Sequence, residues 1–228
     1  MYVGHAAMGV ALAGAARECN RKTVALLVGA SLIADIGWCV LTMAGIEGGH
    51  SLGSQAVHAP RLPWSHSLAS TIVLAVVFAM IAAAVADRDH RPRLALLSFA
   101  AVFLHWLLGD VPFGEGFPLT PWSAPIATPH LYARWPIAFV LEALVVVGCI
   151  GAAARMLGRR RAVMLAAALL GLHVAAWVPT FTAAPAIDLQ AEPMRIVAYL
   201  VLLLLAWGVC IAARPPPNPL PPGGGAGR

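Results

Sequence analysis

The stretch 103–122, FLHWLLGDVPFGEGFPLTPW, places a histidine and an aspartate at the end of an apolar segment. Ionisable groups are costly in a bilayer, and those that occur there usually face a bundle interior and have a function. On an unbroken α-helix His105 and Asp110 would point about 140° apart. Gly109 is a natural helix stop, and if the helix ends there, Asp110 can fold back beside His105. The alternative is a capping aspartate and an interfacial histidine.

Two further carboxylates lie inside apolar segments. Asp35, in LLVGASLIADIGW, has no Lys or Arg within a helical turn or two. A buried carboxylate of this kind takes up a proton or finds a cation, so we expect a metal ion or a histidine from another helix as its partner. The alternative is a protonated Asp35 that bonds the backbone. Glu142, in AFVLEALVVVG, could orient a metal ligand, act as a general base or have a structural role only.

Three more histidines lie in or beside apolar segments. His5 opens GHAAMGVALAGAA, a run of small residues suited to close helix packing. His66 lies in PWSHSL, where Ser65 or Ser67 could cap the third helix. His173, in GLHVAAW, has no polar neighbour in sequence and is best interpreted as a packed histidine. For His5 and His66 the alternatives are an interfacial histidine and a first-turn histidine, both without a ligand.

Imidazoles together with carboxylates are the ligands of catalytic zinc, whose sites keep one position open for water. Sites richer in carboxylates also accept Mn²⁺ or Fe²⁺. The composition agrees with an intramembrane location, since 60% of the 228 residues are hydrophobic and only 11% are charged, with a mean hydropathy of +0.80. A nucleic-acid-binding function is excluded despite the net charge of +5, because the basic residues form short clusters between apolar runs. The four cysteines have no CxxC or CxxH spacing, which argues against a disulfide framework or a cysteine zinc site.

Seven apolar segments can be distinguished, at residues 3–16, 23–46, 65–86, 94–109, 136–157, 162–182 and 195–213. Most approach the roughly 20 residues that a helix needs to cross a bilayer. The first and fourth are short, which fits helices that begin or stop at a polar site within the membrane. The sequence therefore predicts an all-α, polytopic membrane bundle of about seven helices in a single domain, residues 1–214. Residues 215–228, PPPNPLPPGGGAGR, are a low-complexity tail that we expect to be disordered.

The basic residues predict the orientation of the bundle. If alternate connections lie on one side, twelve of the fifteen Lys and Arg residues fall on that side, and only Arg61, Arg134 and Arg195 on the other. This asymmetry places the twelve in the cytoplasm, the N-terminus outside and the C-terminus inside.

The same orientation gives a depth for each polar residue. Five of them lie 12 or 13 residues from the nearest cytoplasmic basic residue: His5, Asp35, His105, Glu142 and His173. At 1.5 Å per residue, all five lie about 18–20 Å above the basic clusters. In a hydrocarbon core about 30 Å thick they share one layer, slightly outside the midplane. His66 and Asp110 lie higher, at the outer ends of their segments.

These motifs resemble the YdjM-like, inner-membrane metal-dependent hydrolases, over roughly residues 1–125. The early His5, the run LLVGASLIADIGW, the element WSHSL and FLHWLLGD followed by GEGFPLTPW are similar, in order and spacing, to the family's motifs. Two features depart from the family. Ala34 and Gly37 replace a Pro and a second Asp, which weakens the case for a second metal, and the family's His and Asp are four residues apart instead of five.

The resemblance implies a helical bundle similar to zinc-dependent phospholipase C, with a metal held by His5, Asp35, His66, His105 and Asp110. The expected reaction is metal-assisted hydrolysis of an ester or phosphoester, with membrane lipid as the candidate substrate and Asp110 or Glu142 as the base. The expected metal is zinc, with Mn²⁺ or Fe²⁺ as alternatives. The expected location is a bacterial-type inner membrane, with the site facing its outer side.

Two other functions are compatible with the same residues. Carboxylates and histidines in one layer also form proton relays and ion-transport sites. An inverted repeat would favour such a translocating protein, and the sequence contains no recognisable one. A structural subunit of a membrane complex would instead pack these residues without a metal.

Overall fold

The computed structural model describes residues 3–16, 20–47, 64–113, 116–129, 131–182 and 192–213. The described chain is helical apart from one short hairpin, in this order: α1 (Val3–Ala15), α2 (Arg21–Met43), α3 (Leu68–Val85), α4 (Arg91–His105), a π-helical turn (Trp106–Asp110), α5 (Val111–Phe113), β1 (Gly116–Pro118), β2 (Pro125–Ala127), a 3₁₀ turn (Leu131–Arg134), α6 (Trp135–Leu157), α7 (Arg159–Thr182) and α8 (Glu192–Ala212). β1 and β2 pair antiparallel. The tail predicted for 215–228 lies outside the described residues.

Five helical stretches are long and apolar enough to cross a membrane: Arg21–Met43, Leu68–Val85, Arg91–Phe113, Pro136–Leu157 and Arg159–Trp177. Val3–Ala15 and Ile196–Ala212 are apolar but shorter. The predicted all-α class is therefore confirmed, and the spans are those of an integral membrane protein. The prediction that the fourth segment is short is wrong, because the chain stays helical without interruption from Arg91 to Phe113.

Local sequence signals explain several helix ends. The side chain of Asn20 accepts a hydrogen bond from the backbone N–H of Thr23 at the start of α2. Ser67, one of the two serines predicted as candidate caps, does the same for Ser70 at the start of α3. Between α6 and α7 the chain turns at Gly158, whose φ of 78° favours glycine.

The shortest apolar helix, α1, is enclosed by the others. It contacts α2, α4, α6, α7 and α8, and every residue from Val3 to Val10 is buried. A helix that is apolar on all sides needs such an enclosed position. At Gly9 a Cβ atom would lie 2.6 Å from the Cα of Val28, so the glycine allows α1 and α2 to pack backbone against backbone. This close packing carries His5, one turn before Gly9, into the centre of the bundle.

The peripheral helices show the opposite pattern. α3 exposes large apolar side chains along its length, among them Val73, Met80 and Val85. Apolar residues on an outward face are expected where a helix contacts lipid. The bundle thus has an enclosed polar centre around α1 and an apolar exterior.

Candidate metal centre

The structure brings together the five residues predicted as metal ligands. They form two overlapping groups, His5 with Asp35 and His105, and His66 with His105 and Asp110. Within each group the potential ligand atoms lie within 4.8 Å of one another. His5 comes from α1, Asp35 from α2 and His66 from the segment before α3. His105 is the last residue of α4, and Asp110 is the last residue of the π-helical turn that follows it. Asp110 is partly exposed and the other four are buried.

Asp35 is the central residue of this cluster. Its Oδ2 lies 3.4 Å from His5 Nδ1, and its Oδ1 lies 3.5 Å from His66 Nε2 and 3.8 Å from His105 Nε2. His66 Nε2 also lies 3.8 Å from Asp110 Oδ1. Good N–H···O hydrogen bonds are about 2.7–3.2 Å long, whereas ligand atoms on a tetrahedral ion with bonds of about 2.1 Å lie about 3.4 Å apart. The contact of His5 with Asp35 is thus a long hydrogen bond, and the separations of 3.4 and 3.5 Å are close to the spacing of ligand atoms around an ion.

Several polar atoms of the cluster have no hydrogen-bond partner among the described residues. They are His5 Nε2, His105 Nε2 and Asp110 Oδ2, and all three are buried. Leaving a buried polar atom unpaired costs free energy, so nearly all such atoms in proteins are satisfied. These atoms, together with the donor set of three imidazoles and two carboxylates, fit a divalent metal ion.

The opposite ring nitrogens of two histidines are held by other groups. His105 Nδ1 donates to the backbone carbonyl of Ser31 at 2.7 Å, and His66 Nδ1 lies 2.6 Å from Ser65 Oγ. Metal-binding histidines are typically fixed in this way through the nitrogen that does not bind the metal. Because His105 Nδ1 bonds the carbonyl of Ser31, His105 can offer only its Nε2 as a ligand atom. Both groups of potential ligands therefore share His105 Nε2. The cluster is therefore suited to one ion.

The π-helical turn explains how Asp110 reaches His105. The backbone N–H of Val111 bonds the carbonyl of Trp106, five residues earlier, in place of the α-helical four. This wider turn brings residues five apart onto one face, and π-turns occur frequently at functional sites. The prediction that the helix ends at Gly109 is wrong. The glycine instead provides space, since a Cβ there would lie 2.5 Å from His5 Nε2.

Glu47, in the turn that follows α2, supports the site, and no local sequence pattern predicts this. Its carboxylate is buried and accepts hydrogen bonds from the backbone N–H groups of Trp64 and Ser65. These bonds fix the segment that carries His66.

The pKa of His66, which lies outside the spanning helices, is set by two opposing effects. Burial alone would lower it, but the carboxylates of Asp110 and Asp35 raise the pKa above the ordinary value.

The remaining predicted catalytic residue, Glu142, lies in neither group of potential ligands. Its Oε1 accepts hydrogen bonds from the backbone N–H groups of Val3 and Gly4, and its Oε2 from Trp177 Nε1. His173 Nδ1 lies 3.5 Å from Oε2, and His173 Nε2 bonds the carbonyl of Phe139.

The five residues predicted to share one layer thus separate into two clusters. Three belong to the candidate metal centre and two belong to this second cluster.

Comparison with protein-family models, with curated proteins and with solved structures gave no match for this chain. The resemblance to the YdjM-like hydrolases therefore stays a prediction that rests on the motifs.

Proposed function

We propose that this integral membrane protein is a metal-dependent hydrolase that cleaves an ester or phosphoester of a lipid at the outer leaflet of a bacterial-type inner membrane. The observation that carries the proposal is that three histidines and two aspartates form two overlapping groups that share His105, with separations that suit an ion and with buried nitrogen and oxygen atoms left unpaired.

His5, Asp35, His66 and His105 would hold the ion, which we take to be zinc, with Mn²⁺ or Fe²⁺ as the alternatives. A divalent ion in such a site lowers the pKa of a bound water to about 7 and polarises the oxygen of an ester or phosphoester. Asp110 is the candidate base, because its carboxylate is at the rim of the cluster with a side-chain exposure of 19% and its Oδ2 has no hydrogen-bond partner among the described residues. Both carboxylate oxygens of Glu142 accept hydrogen bonds elsewhere, so we assign the base to Asp110 alone.

The side of the bundle away from the cluster supports a hydrolase over an ion-translocating protein. Below Asp35, α2 buries Ser31, Val28, Leu27 and Val24, each at most 1% exposed. The three apolar side chains among them, Val28, Leu27 and Val24, belong to the main hydrophobic core together with Leu165 and Leu169 of α7. A transporter needs a second opening lined by polar or small residues, whereas a hydrolase needs one opening only. This packing favours a bundle that is closed on the side away from the cluster.

The surface beside the site supports a lipid substrate. The backbone N–H of Ala69, in the first turn of α3, donates to the carbonyl of Leu119 in the hairpin connection. Trp122 of this connection is 80% exposed and lies edge-on to Trp64, which is 43% exposed. Residues 116–129 contain no ionisable side chain. Exposed tryptophans on an uncharged apolar surface are typical of the membrane interface, so a substrate that enters here would come from lipid.

The proposed orientation follows from the two ends of the bundle. Arg93, at the start of α4, donates two hydrogen bonds to the carbonyl of Ala15 at the end of α1. Arg159 begins α7, which follows α6 directly. We place these basic ends in the cytoplasm, which puts the N-terminus and the metal site on the outer side and the C-terminus inside.

Metal content and lipid hydrolysis test the proposal together. The full-length protein, purified without chelators, should contain about one zinc, manganese or iron ion per chain by elemental analysis, and should release product from labelled phospholipid in vesicles. Asp35→Ala should lose both properties. Ser98→Ala, which changes a buried polar residue in the middle of α4, about two turns before His105, should keep them.

A wild-type protein without bound metal, or one whose hydrolysis survives Asp35→Ala, would contradict the proposal. Cytoplasmic labelling of cysteines introduced at Ser31 or Ala34 separates the rival function. Both positions are buried beneath the site, so labelling there would show an inward route and favour a translocating protein.

A further inference from the structure

Glu142 forms a clamp on the N-terminus of α1. Its side chain is fully buried on α6, and its Oε1 accepts hydrogen bonds from the backbone N–H groups of Val3 and Gly4, at 2.8 and 3.1 Å. These residues begin α1. The first N–H groups of a helix have no partner within the helix, and the positive end of the helix dipole favours a carboxylate there. Glu142 therefore caps α1 from another helix.

The same carboxylate is held from a third helix. Trp177, on α7, donates from Nε1 to Oε2 of Glu142 at 3.3 Å. Trp177 is itself buried and packs edge-on to Phe139 of α6. The clamp thus joins the start of α1 to α6 and α7, and it opposes both sliding and rotation of α1.

The position of α1 decides where the imidazole of His5 lies. His5 follows Gly4 directly, its ring centroid is 3.7 Å from that of His105, and its Nε2 lies against Gly109. A shift of α1 by one residue corresponds to about 1.5 Å, whereas metal–ligand distances vary by only about 0.2 Å. A small displacement of α1 would therefore take His5 out of range of an ion shared with Asp35.

We propose that Glu142 is a positioning residue of the metal centre, which acts through the backbone of α1 to hold His5 in place and which touches neither ion nor substrate. This inference rests on the proposed metal-dependent function. Glu142 is fully buried and lies 138 and 139 residues away in sequence from the backbone groups that it binds. Positioning His5 would give this carboxylate a function.

Titration of the purified full-length protein with Zn²⁺ and Co²⁺ tests the clamp. Glu142→Leu removes the acceptor, so its affinity for both ions should fall by about 10- to 100-fold, the usual effect of losing a group that orients a ligand. The visible spectrum of bound Co²⁺ should also change, because His5 moves. Glu142→Gln should retain most of the affinity, since an amide oxygen still accepts from the N–H groups of α1. Trp177→Phe, which removes only the donor to Oε2, should give a smaller loss than Glu142→Leu.

Hydrogen–deuterium exchange of the α1 backbone supplies a readout that needs no metal. Exchange in the first turn should be faster in Glu142→Leu than in the wild type, and unchanged in Ser98→Ala. If the wild type takes up neither ion, the proposed function fails, and the exchange rates still decide whether Glu142 holds α1.

Two results would overturn the positioning role. One is a Glu142→Leu protein with wild-type affinity and an unchanged Co²⁺ spectrum. The other is an equal loss in Glu142→Gln and Glu142→Leu, which would show that the charge matters and not the hydrogen bonds. If Glu142→Leu does not fold, Trp177→Phe decides, and wild-type affinity in that variant would count against the role, as would a loss in Glu142→Gln larger than that in Trp177→Phe.

Discussion

Two buried clusters of histidine and carboxylate lie in this bundle, and they differ in how their polar atoms are paired. Around Asp35 the His–Asp separations are 3.4–3.8 Å, and ring nitrogens of His5 and His105 have no hydrogen-bond partner among the described residues. Around Glu142 the carboxylate accepts hydrogen bonds from two backbone N–H groups and one indole, although His173 Nδ1, 3.5 Å from Oε2, has no hydrogen-bond partner among the described residues. The clusters therefore differ in their carboxylates, since those of the first have only long contacts to imidazoles and that of the second is hydrogen-bonded to the backbone of another helix.

The difference shows that residue type and burial alone do not identify a reactive site. Both clusters combine imidazole with carboxylate, and both are almost wholly buried. Hydrogen bonds from backbone N–H groups satisfy a carboxylate and hold it in place. Unpaired imidazole and carboxylate atoms that lie within 4.8 Å of one another have no such hydrogen bonds, and their spacing could accommodate a metal ion. Substitutions in each cluster can test this division between a metal centre and a helix clamp.

The largest effect is expected from Asp35→Ala, because Asp35 contacts three histidines of the first cluster. Its loss should lower Zn²⁺ affinity by at least about 100-fold, beyond what loss of an orienting group usually costs. Isothermal titration of the purified protein measures this effect. Retention of wild-type affinity would show that the cluster is not a metal centre.

Gly109→Ala should have the next largest effect, since its Cβ would lie 2.5 Å from His5 Nε2. The displaced imidazole should lower Zn²⁺ affinity by about 10-fold or more, and the overpacking should destabilise the protein by about 1–3 kcal/mol. Gly148→Ala is the matched control, because a Cβ there meets nothing within 4 Å and alanine favours the helix by up to about 1 kcal/mol. Equal affinities of the two variants would contradict the packing of His5 against the π-turn.

The sequence indicates the residues of the first cluster because an ionisable residue inside an apolar segment is conspicuous. Asp35, His105 and Asp110 were identified in this way, and most helix bounds follow from apolar runs with caps such as Ser67. The fourth helix was predicted too short because Gly109 was interpreted as a stop. The choice between a helix end and a π-turn depends on the space beside His5, which is a property of the packed bundle.

Two supporting carboxylates could not be placed from the sequence, for different reasons. Glu47 bonds Trp64 and Ser65 across a long connection, and no local spacing predicts that pairing. Glu142 was recognised as buried, but counting residues from the basic clusters gives only its depth in the bilayer. Depth alone does not say which residues are neighbours. The arrangement of the helices within the membrane plane decides to which of the two clusters a residue at that depth belongs.

A smaller effect is expected from Ser65→Ala, which removes the group 2.6 Å from His66 Nδ1. Without this contact His66 can change its ring orientation, so Zn²⁺ affinity should fall by about 10-fold. Ser123→Ala removes a serine hydroxyl that bonds only Thr120 among the described contacts, in the hairpin connection, and should leave the affinity unchanged. An equal affinity in both variants would mean that Ser65 does not orient His66.

The smallest effect on metal binding is expected from His173→Phe, which changes the second cluster without removing the clamp. Phenylalanine keeps the ring that stacks on Phe139 at a centroid distance of 4.5 Å, and the N–H groups of Val3 and Gly4 still donate to Glu142. Loss of the hydrogen bond to the Phe139 carbonyl should cost about 1 kcal/mol of stability, seen as a lower thermal midpoint. Zn²⁺ affinity should remain at the wild-type value.

His66→Phe is the matched variant in the first cluster, where the same change removes a ring nitrogen 3.5 Å from Asp35. Its Zn²⁺ affinity should fall by at least about 100-fold, more than loss of an orienting group costs. The two histidine variants differ only in which cluster loses an imidazole. If His173→Phe lost as much affinity as His66→Phe, the second cluster would have to be part of the metal centre, and the division between them would be wrong.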